Sequence, residues 1–252
     1  MSFILNARGK QRACALLRAS KSEVTFDGRS FRIRNQIASG LLPRLQKVMK
    51  WSTINPRTKK YRHSSHLQRV HRSCPTWGEL HGIIVHEQIA HSCRAIANRQ
   101  RLDGSENKTG QDPCVHRFLS FLEARHWIPI AAELPIGRDG LATAVDVVVL
   151  DRKGDIIAIE IKTGYENECY GPTVADKKIA LGFRDCPQHR HELQLSATCL
   201  LMPISPDRAF IIRLCSKARG VEWREIRWWK NMNRSTELEN LLFSKQKKKN
   251  LK

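Results

Sequence analysis

Three charges interrupt the most apolar stretch of this 252-residue chain. In AVDVVVLDRKGDIIAIEIKTG, residues 144–164, the Val, Ile and Leu run is broken by Asp146, Glu160 and Lys162. An ionised carboxylate inside an apolar strand costs several kcal/mol unless something pairs with it. Two facing carboxylates repel each other unless a cation lies between them. Hard oxygen donors from neighbouring strands suit Mg²⁺ or Mn²⁺. A lysine beside them adds a point charge that holds a water or a phosphate oxygen. Carboxylate, carboxylate and lysine on one sheet edge are the groups that metal-assisted hydrolysis of a phosphodiester needs.

That chemistry requires the three side chains on one face, so the strands that carry them come next. LATAVDVVVLD and IIAIEIKTG read as two strands joined at Arg152-Lys153-Gly154. A three-residue hairpin loop ending in Gly suits a type I turn followed by a left-handed residue. With that loop Asp151 faces Asp155 and Asp146 faces Glu160, with Lys162 two residues further on the same face. Ala142, Ala144, Val148, Leu150, Ile156 and Ala158 then share that face, which argues for burial. A loop of other parity would break the arrangement. The bland alternative is a solvated hairpin face.

The remaining elements follow from periodicity. PTWGELHGIIVHEQIAHSCRAIANRQ opens with Thr76-x-x-Glu79, a capping box. Val85, Ile89, Cys93 and Ile96 fall on one helical arc with Gly82, His86 and Ala90. VHRFLSFLEARH reads as a second helix and WIPIAAELPI as a strand. QHRHELQLSATCLLM reads as a helix stopped by Pro203, RAFIIRL as a strand and NRSTELENLLFSKQ as a last helix. Strands apolar on both faces imply a sheet covered on both sides, hence an α/β fold with a mixed sheet between helices. Residues 165–186 read as a long loop.

Charge divides the chain unevenly. Of the formal net charge of +20, residues 1–78 contribute 17 Lys/Arg against Glu23 and Asp27, and 28–78 contain no acid. A field this one-sided points to a polyanion, nucleic acid first. This composition reads as a basic N-terminal arm over 1–71, partly disordered, before a domain over 72–232 and a C-terminal helix and basic tail over 233–252. LLPRLQKVMKW is a short helix within the arm and INPRTKKYRHSSH an exposed loop. Candidate phosphate contacts are Arg57, Lys59, Arg62, Arg69 and Arg72, with Thr58 inside the same run. Trp51, Tyr61 and Trp77 are spaced so that bases could stack on them; packing is the equal alternative. His63, His66, His71 and Cys74 offer zinc donors, but H-x2-H-x4-H-x2-C fits no common finger. The eight cysteines form no C-x-x-C pair, which reads as reduced thiols inside a cell. The acid-free, Arg-bearing first 22 residues resemble a mitochondrial transit peptide and SKQKKKNLK a nuclear import patch, leaving nucleus or mitochondrion open. No run approaches the length of a membrane span.

Four motifs together resemble the RecB-like exonuclease branch of the PD-(D/E)XK nuclease superfamily, which includes mitochondrial genome maintenance exonucleases. They are GIIVH (82–86), AVD (144–146), EIK (160–162) and LQLSAT (193–198), within residues 76–215. The resemblance implies a restriction-endonuclease-like core and a Mg²⁺- or Mn²⁺-dependent nuclease acting on DNA, single-stranded or at duplex ends. It implies metal ligation by His86, Asp146, Glu160 and the backbone carbonyl of Ile161. Lys162 would orient the attacking water, and Gln194 would contact the substrate backbone. Glu133 lies where many members keep a glutamate, as a further ligand or as a loop cap. Thr198 stands where the branch has a tyrosine, and Val145 where the superfamily often has proline. No cysteine spacing matches the iron–sulfur cluster of some relatives. His86 and Gln194 also read as satisfied buried residues. Rival functions are a non-catalytic nucleic-acid-binding protein on the same fold and an RNA endonuclease, since viral cap-snatching nucleases use a similar set.

Overall fold

The computed structural model describes residues 7–49, 52–54, 61–63, 77–98, 111–163, 180–183, 187–214 and 221–243. The described residues form an α/β fold with six helices and a mixed central sheet. The helices are α1 (Ala7–Glu23), α2 (Leu41–Met49), α3 (Trp77–Ala97), α4 (Pro113–Ala124), α5 (Pro187–Leu201) and α6 (Met232–Phe243). The sheet contains β4 (Ser39–Gly40), β7 (Ile128–Arg138), β8 (Leu141–Leu150), β9 (Ile156–Thr163), β10 (Arg208–Leu214) and β11 (Val221–Ile226). Three short strands, β1 (Val24–Phe26), β2 (Phe31–Ile33) and β3 (Gln36–Ile37), make a small meander, and β5 (Ser52–Ile54) pairs with β6 (Tyr61–His63). INPRTKKYRHSSH, expected to be loop, therefore includes a strand. None of the described helices is long and apolar enough to cross a membrane.

The order β11-β10-β9-β8 carries the site. The β9–β10 pair is parallel and its neighbours are antiparallel. A parallel pair needs a crossover, and α5 supplies it. The β8–β9 turn has the expected form: Asp151 N–H donates to Asp155 O, and Gly154 takes φ +82°. The Asp151 carboxylate accepts from the amides of Lys153 and Asp155, an Asx device that locks the loop. The register runs from Val147↔Ile159 to Leu150↔Ile156, and its parity, carried one pair further, sets Asp146 against Glu160.

Beyond Val147 and Ile159 the two strands part. β7 runs along one side of β8, so β9 and the two residues of β4 share the other, β4 pairing with Leu141 and Ala142. The side-chain alternation also slips at this point. Ala132 and Val147 belong to the core beneath α3 and α4, whereas Leu134, Ile136, Leu141 and Val145 belong to the core beneath α1, α2, α5 and α6. Regular strands would put residues 132 and 134, or 145 and 147, on one face. Glu133, at φ +49°, carries the break in β7, with Asp146 opposite it. Ala142 and Ala144, expected on the face of Val148 and Leu150, are replaced in that core by Leu141 and Val145.

The division at residue 71 needs correction. Leu16 of α1 and Leu41, Leu45 and Met49 of α2 are buried in the same core as Val148, Ile156 and Leu193. Arg12 donates to Asp207 at 2.6 Å, and Asp207 also caps the start of β9 by accepting from Ile156 N. Arg44 donates to the carbonyls of Leu241 and Leu242 at the end of α6, whose Leu238 and Leu242 are buried. Residues 7–49 and 232–243 thus belong to one body with the sheet. Arg12 and Arg44 apart, the basic side chains of α1 and α2 lie outside while the apolar stripe turns in. Burying each such leucine contributes about 1.5–3 kcal/mol, which no detached arm would recover.

Candidate active site

The site lies where β8 and β9 separate. The Ile161 N–H, with no ladder partner in β8, donates to Asp146 Oδ2 at 2.7 Å. From the opposite side α3 brings His86, whose Nδ1 lies 3.8 Å from Asp146 Oδ2. Gly82 makes that approach possible: a Cβ there would sit 2.8 Å from Thr163 Oγ1. Glycine and histidine four residues apart thus act as one device, the first admitting the helix and the second using the proximity.

Ligand atoms of His86, Glu133 and Asp146 all lie within 4.8 Å of one another. The kink at Glu133 and Asp146 accounts for this: both carboxylates leave the regular alternation at facing positions. His86 also hydrogen-bonds to the Ile161 backbone, and only the carbonyl can accept from its ring. Four of the expected ligands, Glu133 among them, therefore share one spot. Glu160 is turned differently. Its Oε1 accepts from Lys162 Nζ at 2.5 Å and from Gln194 Nε2 at 2.6 Å, and Lys162 Nζ stands 3.5 Å from Gln194 Oε1. The result is a closed triangle of lysine, carboxylate and amide on the α5 side of the cluster. Thr198 is buried and offers no surface to a ligand.

The electrostatics suit a cation. Burial raises the Asp146 carboxyl well above its ordinary value, and the Glu160 charge raises it further. Lys162 and the Ile161 amide oppose the shift. Burial also raises Glu133, with Arg94 opposing and Glu160 adding to the rise. Burial lowers His86, against the pull of Glu160 and with a push from Lys162. Metal binding needs ionised carboxylates and a neutral imidazole. Here the imidazole is already favoured as neutral, and the carboxylates hold negative charge at a cost that a cation would remove. One imidazole with oxygen donors from two carboxylates and a carbonyl fits Mn²⁺ or Mg²⁺. A second group, His81, Asp112 and Cys114, fits less well. Asp112 there is the N-cap of α4, His81 Nε2 lies 2.7 Å from it, and the Arg117 guanidinium stands 3.1 Å from Cys114 Sγ. Burial and the Asp112 contact push the Cys114 thiol up to about 11, the reverse of a ligating thiolate.

Arg57, Thr58, Lys59, Arg69 and Arg72 lie outside the described residues, as do His66, His71, Cys74, Trp51 and Thr76. Arg62 and His63 fall on β6, which is described in its backbone only. Two residues next to the site had no place in the expectations: Arg213, beside Lys162 in register, and His191, one turn from Gln194. Arg213 interrupts RAFIIRL as Lys162 interrupts IIAIEIKTG, so the same signal marks both.

No family model matches the chain, and no curated protein matches it. Among solved structures the chain is similar to one described as "Crystal structure of SSO0001", at 12% identity, covering 92% of this chain and 84% of that one. The TM-score of 0.30 carries no argument about fold or function.

Proposed function

We propose that the protein is a metal-dependent nuclease with a restriction-endonuclease-like core that hydrolyses phosphodiester bonds of DNA from a strand end. The observation that carries this reading is the convergence of His86, Glu133 and Asp146 within 4.8 Å, next to the Lys162–Glu160–Gln194 triangle. His86, Glu133, Asp146 and the Ile161 carbonyl are the groups that would hold the cation. Bound there, Mg²⁺ or Mn²⁺ would acidify a water and neutralise charge on the scissile phosphate.

The chain's own residues supply the rest. Glu160 and Gln194 hold the Lys162 ammonium at the rim of the cluster. From that position the ammonium donates to the attacking water and to the phosphate oxygen on which charge grows. Asp146 ties the Ile161 amide and so keeps β9 in the splayed geometry that exposes the Ile161 carbonyl. The formal charge of +20 supports a polyanionic substrate held with strong salt dependence.

Wild-type protein with Mg²⁺ or Mn²⁺ is expected to degrade end-labelled single-stranded DNA or duplex ends. A ladder shortening from one end supports the exonuclease reading. Faster cleavage of an RNA of the same sequence would replace DNA by RNA as substrate. Binding without any cleavage of DNA or RNA would sink the enzyme reading in favour of a binding protein.

A further inference from the structure

One strand away from Lys162, between α5 and the β10–β11 pair, lies a cavity of about 190 Å³. A water occupies about 30 Å³ in the liquid, so the space admits a group the size of a phosphate with some of its hydration. Its back wall is the buried guanidinium of Arg213, and buried His191 lines it from α5. Gln188, Ile211, Glu222, Arg224 and the half-exposed Trp223 complete the wall and rim.

Register ties this cavity to the proposed chemistry. Arg213 pairs with Lys162 across β9–β10, so the two share a face about 4.8 Å apart in backbone. On α5, His191 precedes Gln194 by three residues, a spacing that places both on one side of a helix. The helix that sets Gln194 against Lys162 therefore sets His191 into the cavity.

Two guanidinium groups, Arg213 and Arg224, share the lining with one carboxylate, Glu222, so the cavity is net positive. The charges acting on the His191 ring are those of Lys162, Arg213 and Arg190, all positive; burial comes first, and together they push it down to about 3. His191 is thus neutral at neutral pH and can donate one N–H without bringing a charge. Of the acids nearby, Glu192 is held by its neighbours and Glu222 lines the cavity opposite Arg213. Glu192 accepts from Gln188 at 2.8 Å and from Arg224 Nε at 3.3 Å, and Glu222 faces Arg213 in register. A planar guanidinium in the wall of a partly open cavity is suited to two-pronged recognition of phosphate oxygens.

We propose that this cavity binds a phosphate group of the nucleic-acid strand next to the one positioned at Lys162. Arg213 grips it, His191 and Arg224 assist, and Trp223 at the rim offers a face to the adjoining base. The proposal rests on the nuclease reading for the role of Lys162, and its test is independent of cleavage.

Binding of a short fluorescent oligothymidylate, with a 5′-phosphate or a 5′-hydroxyl, is measured in EDTA over a range of KCl. Arg213→Gln should weaken binding about tenfold, the scale of a charged hydrogen bond. It should also reduce the slope of log K against log salt by about 0.7, one single-strand phosphate contact. Arg213→Lys should recover part of the affinity. Arg224→Gln, at the exposed rim, should move both quantities the same way without touching the core, and decides the matter if Arg213→Gln fails to fold. Lys153→Gln, in the β8–β9 turn, controls for loss of one positive charge. A preference for the 5′-phosphate that disappears in Arg213→Gln places a terminal phosphate in the cavity; equal loss for both oligonucleotides places an internal one. Affinity and slope in the Arg213 and Arg224 variants equal to those of Lys153→Gln would overturn the proposal. If binding depends on Arg213 and added Mn²⁺ yields no cleavage, the nuclease reading fails and the cavity stands.

Discussion

Asp146→Asn should make the metal-free protein more stable while removing its response to metal. The ligand atoms of Asp146 and Glu133 lie within 4.8 Å of each other. At that separation and an effective dielectric of about 20, two full charges repel by about 3.5 kcal/mol. Proton uptake by the pair caps that cost, leaving a gain for the variant of about 1–3 kcal/mol, or roughly 2–10 °C in Tm for a domain of this size. The neutral side chain keeps an oxygen that can accept from Ile161 N, so the 2.7 Å bond is preserved. The folded pKa of Asp146 is raised above its ordinary 3.8. The folded state therefore binds the extra proton, and ionisation disfavours folding. Metal-free wild type should lose stability as pH rises from about 4 through that raised pKa and then level off, a slope reduced in the variant to the part that raised Glu133 contributes. The assay is thermal melting in EDTA from acid to mildly alkaline pH, repeated with MnCl₂. At one hundred times Kd, Mn²⁺ should add about 2.7 kcal/mol to wild type and nothing comparable to the variant. A variant less stable than wild type in EDTA at mildly alkaline pH, or one stabilised equally by Mn²⁺, would refute the reasoning.

Gly82→Ala should cost about 1–3 kcal/mol by overpacking against Thr163, since the new Cβ would stand 2.8 Å from its hydroxyl. Urea melts should show most of that loss recovered in the Gly82→Ala/Thr163→Ala double variant; additivity would mean the contact is not the cause. Gly154→Ala should cost about 1–2 kcal/mol, because its φ of +82° lies in the left-handed region. An unchanged midpoint would show that the turn does not depend on that conformation. Cleavage should fall on the acid side as Asp146 and Glu133, both raised, take up protons. Because the cation competes with those protons, the acid limb should move to lower pH as Mn²⁺ increases; a limb fixed near 6.5 whatever the metal concentration would assign it to a group that does not ligate.

The hairpin was readable in advance because its determinants are local. Asp151 and Gly154 set the loop, the loop sets the parity, and parity brings Asp146 opposite Glu160. Gly82 and His86 were readable from helical spacing, and Gln194 from the helix motif. The kink was not. A strand pattern assumes strict alternation, and nothing in AAELP announces a glutamate at φ +49°. Its consequence is that Glu133, rather than Glu160, joins His86 and Asp146. The short helix α2 was readable in LLPRLQKVMKW, but composition hid α1 and the packing of both helices into the core. Charge averaged over 1–71 describes their outer faces, whereas the spacing of Leu41, Leu45 and Met49 describes the inner one. The edge strand β11, VEWREI, breaks its alternation at Glu225 and carries three charges, so it gives no strand signal.

The central claim is that Lys162 acts chemically beside a cation held by His86, Glu133 and Asp146. It is tested most directly by cleavage of an end-labelled single-stranded DNA in Mn²⁺ by wild type and by Lys162→Ala, with oligonucleotide affinity measured on the same preparations. The account predicts cleavage by wild type and a loss of at least about a hundredfold in Lys162→Ala, with affinity changed by no more than the loss of one surface charge. Comparable cleavage by both proteins, or a loss explained wholly by weaker binding, would contradict it.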